Sequence, residues 1–63
     1  MCEANVYLIQ KDGTEKLLME SVDKVTPTEE GFILENIYSQ RREIKASLKE
    51  MTLVEHRILL EEK

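Results

Sequence analysis

Along most of the chain, apolar and polar side chains alternate with a period of two, the pattern of strands with one face buried and one in water. Residues 4–10, Ala-Asn-Val-Tyr-Leu-Ile-Gln, are rich in β-branched and aromatic side chains and predict a first strand. Lys11-Asp12-Gly13-Thr14 follows, and its Asp-Gly pair supplies the positive φ of a tight hairpin turn. Residues 15–20 return as the partner strand. Their Leu-rich composition would also suit a helix, but six residues are too few for a stable one. A short third strand is expected over 22–26, closed by Pro27, which cannot donate to a sheet ladder and so belongs at an edge or strand end.

Thr28-Glu29-Glu30-Gly31 reads as a polar turn and residues 32–37, Phe-Ile-Leu-Glu-Asn-Ile, as a further strand. Residues 38–43 read as a solvated hairpin connection. Beyond them Ile44, Ala46 and Leu48 alternate with Lys45, Ser47 and Lys49, the half-buried antiparallel pattern. In the tail, Val54, His56, Ile58 and Leu60 share one face of a strand, although a helix with Leu53, Arg57 and Leu60 stacked is also permitted. Six or seven short segments separated by turns favour the strand. The expected fold is all-β, a small antiparallel sheet or partly open barrel of six to seven short strands. Residues 1–63 form a single domain without repeats or linker.

Size then narrows the functions. Sixty-three residues make a thin core that a second subunit often completes, so a homodimer is expected. A large enzyme cleft cannot be walled by so little protein. One cysteine excludes an internal disulfide. No apolar run reaches the ~18 residues of a membrane helix and no signal-peptide core follows Met1, so the expectation is a cytoplasmic protein with no membrane role. Nine Lys and Arg against thirteen Asp and Glu, a formal charge of −4, speak against a phosphate-backbone binder.

Catalytic constellations are missing as well. Gly13 and Gly31 lie too far apart for a phosphate loop, and no CxxC or HExxH spacing occurs. Ser21, Ser39 and Ser47 fit no nucleophile elbow. Met19 and Met51 read as core filler, and His56 as a core or edge side chain. Tyr38 beside Arg41, Arg42 and Lys45 is the only local feature of a nucleic-acid surface, and the run reads first as a solvated strand face that balances the acidic excess. That cluster defines the rival reading, a small RNA-binding or dimeric adaptor module.

Cys2 differs by its place in the chain. If Met1 is removed, the α-amine and thiol of Cys2 lie on one residue and can close a five-membered chelate ring on a metal. If Met1 is kept, its amine nitrogen, the Cys2 amide nitrogen and the thiolate offer a planar N,N,S set. Nitrogen and thiolate donors in a plane suit Ni(II) or Cu(II), whereas zinc prefers tetrahedral sulfur-rich sets. One chain supplies two or three of four ligands. Two chains related by a two-fold axis would supply an N2S2 square if their beginnings meet.

An initiating Met1-Cys2, a strand ending in Lys11-Asp12-Gly13, and a close on Ile58-Leu59-Leu60-Glu61-Glu62 resemble the CooT family over essentially the whole chain. The resemblance implies a small β-rich homodimer that binds Ni(II) through the N-terminal cysteine of each subunit. It also implies an accessory role in delivering nickel to carbon monoxide dehydrogenase. Cys2 is the residue on which the family's function falls. Hydrogenase chaperones of the HypC type also open with Met-Cys, but this chain lacks the Ile-Pro-Gly that usually follows there.

Overall fold

The structure is a computed structural model and describes residues 3–63. Six strands form one sheet: β1 (Ala4–Ile9), β2 (Glu15–Pro27), β3 (Phe32–Asn36), β4 (Arg41–Ile44), β5 (Ala46–Thr52) and β6 (Arg57–Glu62). Their spatial order is β4-β3-β2-β1-β6-β5. The all-β expectation holds. The sheet is mixed, however, because β1 and β6 run parallel, with Val6 opposite Ile58 and Leu8 opposite Leu60. That register aligns the apolar rows of both strands on one face, and burial of those rows outweighs the slightly weaker parallel ladder.

The sheet must curl. Edge strands of a flat six-stranded sheet lie ~24 Å apart, five spacings of ~4.8 Å. Here the two edges, β4 and β5, are separated in sequence by Lys45 alone. Three consecutive residues span only ~7 Å, so the edges have to approach one another. Glycine permits the corner: a Cβ on Gly31 would collide with the carbonyl oxygen of Ile44 and lie 2.8 Å from the Ala46 nitrogen. No ladder joins β4 to β5, and the result is a partly open barrel.

Bulges set the curvature. The expected separate strand over 22–26 is the second half of β2, which pairs first with β1 and then with β3. The bend falls at Ser21, whose φ is +56°. Its amide donates to Asn5 Oδ1 at 3.3 Å, and its carbonyl accepts from the Ile37 amide at 2.9 Å. A second irregularity beside Leu18 turns Leu18 and Met19 both against the core, while Leu17 faces solvent. The consecutive apolar triplet thus reflects a bulge, without any helix.

Val6, Val22, Leu34, Ala46, Ile58 and Leu60 form the core, with Ile44 and Met19 packed against it. Four sequence expectations need correction. Residues 41–43 belong to strand β4 because they complete the ladder on β3. Ile44 and Ala46 fall on different strands, and Leu48 is half exposed because β5 is an edge. Met51 is likewise half exposed and fills no core. Val54 and His56 lie outside the final strand, in the 53–56 turn that precedes Arg57.

Candidate functional site

One end of the half-barrel is open. Glu3, Ala4, Val22, Asp23, Val25, Leu53, His56, Arg57 and Ile58 line a cleft of about 340 Å³ there, walled by β1, the second half of β2 and the β5–β6 hairpin. The walls are apolar because Ala4, Val22 and Ile58 end inner rows whose next members, such as Val6 and Leu60, are fully buried. Glu3, Asp23 and His56 stand among the lining residues. His56 adopts φ +56°, and its carbonyl accepts the Asn5 amide at 2.9 Å, which fastens the hairpin to the start of β1. The Arg57 side chain is engaged on the outer face: its guanidinium lies 2.6 Å from Glu15 Oε2 and 4.7 Å above the Tyr7 ring.

Cys2 and Met1, the metal ligands expected from sequence, lie outside the described residues. Glu3, bonded directly to Cys2, lines the cleft. Among the described residues no group of three His, Cys, Asp or Glu side chains assembles that could hold a metal ion.

The rival cluster is only partly assembled. Tyr38, Arg41 and Arg42 border one shallow groove of about 460 Å³ together with Glu20, Asn36 and Gln40. Lys45 is absent from that lining and lies 3.8 Å from Glu30. Arg41 lies 3.6 Å from Glu35, and Arg42 donates to the Leu18 carbonyl at 3.5 Å. Each cation thus has an intramolecular partner, and the groove carries its own carboxylate. The turn above it serves the fold: buried Asn36 accepts the amides of Tyr38 and Gln40 through Oδ1 at 2.9 and 3.0 Å and donates through Nδ2 to Gln40 Oε1 at 2.7 Å.

Sequence reasoning missed the cleft itself. Its signal was Leu53-Val54, two adjacent apolar residues where a turn would ordinarily be polar.

Among the described residues the fold is a curled six-stranded sheet without helices, open at the end where its first strand begins. The family model for the CO dehydrogenase accessory protein CooT matches residues 1–61. The crystal structure of a CooT protein from Carboxydothermus hydrogenoformans superposes with a TM-score of 0.89 at 53% identity, covering 98% of each chain. Comparison with curated proteins gives no match. The chain belongs to the CooT family of CO dehydrogenase accessory proteins.

Proposed function

We propose that this protein binds Ni(II) as cargo through the Cys2 thiolate and the N-terminal nitrogen. In this reading it hands the ion to carbon monoxide dehydrogenase or a related nickel enzyme. Two chains of a homodimer together supply the donor set, and no bond of a substrate is made or broken. The observation that carries the reading is the family match, which spans residues 1–61 and so includes Met1-Cys2. The chemistry of the donors agrees: thiolate and amine nitrogen in a plane favour Ni(II) over zinc. Exchange with a client requires an accessible site, and Glu3, adjacent to Cys2, is exposed at the open end of the barrel.

Native mass spectrometry with added Ni(II), on wild type and Cys2→Ser, tests the reading. One nickel per two chains is expected for wild type and none at the same concentration for Cys2→Ser; equal loading of both would reject the ligand assignment. Protons compete for the amine and the thiol, whose ordinary pKa values are ~7.7–8.0 and ~8.5. Affinity is therefore expected to fall as pH drops from 8 to 6, and a pH-independent titration would be incompatible with these ligands.

A further inference from the structure

Strand β2 has a partner on each side for only part of its length. β1 pairs with it from Glu15 to Val22, whereas β3 pairs with it only from Val22 to Pro27. Among the described residues no strand lies on the other side of residues 15–20, so a stretch of sheet edge is open within the longest strand. The β3–β4 turn stands across from that edge. Leu17, Leu18 and Glu20 form one wall of the shallow groove of about 460 Å³, and Tyr38, Arg41 and Arg42 the other.

Unpaired amides and carbonyls on an edge are a template for another strand, and proteins usually cover them. Here the cover is slight. Arg42 stands opposite buried Leu34 and shares its face, so its guanidinium reaches over to the Leu18 carbonyl. At 3.5 Å that contact is longer than a good N–H···O bond of ~2.7–3.2 Å. The carbonyl is neutral, and no carboxylate among the described residues forms an ion pair with Arg42, so its charge stays uncompensated. Arg41 holds Glu35 at 3.6 Å with its side chain 65% exposed, a pair that water weakens. Leu17 and Tyr38, 45% and 72% exposed, add apolar surface to the two walls.

These features select an extended polypeptide. Another strand satisfies the open main-chain groups, its alternate carboxylates meet the two arginines, and Leu17 and Tyr38 take the side chains between. RNA has no peptide main chain to complete the ladder, and Glu20 in the groove and a formal charge of −4 oppose its phosphates. We propose that the groove binds one extended segment of a partner protein, with carboxylate side chains at alternate positions, as a strand added to the edge of Leu17–Glu20. On docking, Arg42 exchanges the Leu18 carbonyl for a carboxylate, and that carbonyl accepts an amide of the incoming strand. The groove shares no lining residue with the apolar cleft, so the docking stands apart from the nickel reading.

Fluorescence anisotropy with a labelled peptide of alternating Glu and Val tests the proposal. Its comparison probes are the same peptide with Lys for Glu, the Glu peptide N-methylated at alternate amides, and a uridine-rich single-stranded RNA. Arg42→Glu is set against Lys11→Glu, which makes the same change of charge in the first turn, and circular dichroism verifies folding. The Glu peptide is expected to bind wild type saturably and roughly tenfold more weakly to Arg42→Glu, with Lys11→Glu unchanged. One of the two complementary N-methylated forms should lose binding, and amide hydrogen exchange within residues 17–20 should slow when the unmodified peptide is added. Should Arg42→Glu not fold, the methylated peptides and the exchange measurement on wild type still decide the matter. Failure of the Glu peptide to bind, equal binding of the Lys peptide, or full binding by both methylated forms overturns the proposal. So does an equal loss with Lys11→Glu. RNA binding that Arg42→Glu abolishes, with no peptide binding, overturns it in favour of a nucleic-acid surface.

Discussion

Two hairpin turns of similar length serve opposite ends of this molecule. The β1–β2 turn is built for water. The Gln10 amide donates to the Thr14 carbonyl at 2.8 Å, and the amide of Gly13, whose φ is +90°, donates to the Gln10 carbonyl at 2.8 Å. Asp12 Oδ1 accepts from the Thr14 amide at 3.0 Å and from its hydroxyl at 2.6 Å. Glu62 Oε1 accepts the Lys11 amide at 3.0 Å, tying the last strand to the turn. In the β5–β6 turn, one backbone hydrogen bond, from the His56 amide to the Leu53 carbonyl at 3.2 Å, spans Leu53-Val54-Glu55-His56. There a non-glycine residue takes the left-handed conformation, and two aliphatic side chains face outward. The first turn meets its polar needs internally. The second leaves apolar surface exposed at Leu53 and Val54.

Substitutions can break or sharpen that contrast. The largest effect is expected from Leu60→Ala, because fully buried Leu60 sits on the inner row of β6, the strand running from one turn to the other. Truncation there should cost about 2–5 kcal/mol. In a domain this small, that is a large part of a total stability near ~0.05–0.15 kcal/mol per residue. Urea unfolding followed by circular dichroism would measure it, and a cost below ~1 kcal/mol would contradict the shared core. Next comes a matched pair. Gly13→Ala forces a Cβ into φ +90° and should destabilise by about 1 kcal/mol or more, even though open space surrounds it. His56→Gly should act in the opposite direction and stabilise the monomer by roughly 0.5 kcal/mol, since relief of left-handed strain exceeds the added chain entropy. Equal signs for the two would show that backbone strain does not distinguish the turns.

The smallest effect concerns Asp12. Hydrogen bonds from the Thr14 side chain and then its backbone hold its carboxyl below the ordinary carboxylate pKa. A lowered folded-state pKa means that its stabilisation is present above the unfolded value, near ~3.9, and disappears as pH falls through the lower folded value. Wild type and Asp12→Asn should therefore differ slightly at neutral pH and converge in acid. A gap that widened below pH 4 would reverse the sign and refute the assignment.

Much of the sheet was legible because its signals are local. Asp12-Gly13 marked the first turn, Thr28 and Gly31 the second, and the alternation of Val6 with Leu8 and of Ile58 with Leu60 marked inner rows. Legibility failed where a contact distant in sequence overrode the local pattern. Arg41 and Arg42 look like turn residues until β3 offers them a ladder. Ile44, Ala46 and Leu48 look like one row until Lys45 has to carry the chain from one edge to the other. Val54 and His56 share strand parity with Ile58, yet the hairpin turns before reaching them. Among proposed site residues, Tyr38, Arg41 and Arg42 do meet at one groove and Lys45 does not.

The amino-acid sequence by itself determined the all-β class, the polar first hairpin and the inner rows, because period-two alternation and Asp-Gly chemistry act over a few neighbouring residues. It also carried Met1-Cys2, the dipeptide on which family membership and the nickel proposal both bear. Only the tertiary structure decided that β1 and β6 pair in parallel, that the sheet curls without closing, and that Leu53 and Val54 stand exposed beside an apolar hollow. Those outcomes depend on which strands become neighbours, a choice made by burying rows far apart in the chain, and no local pattern encodes it.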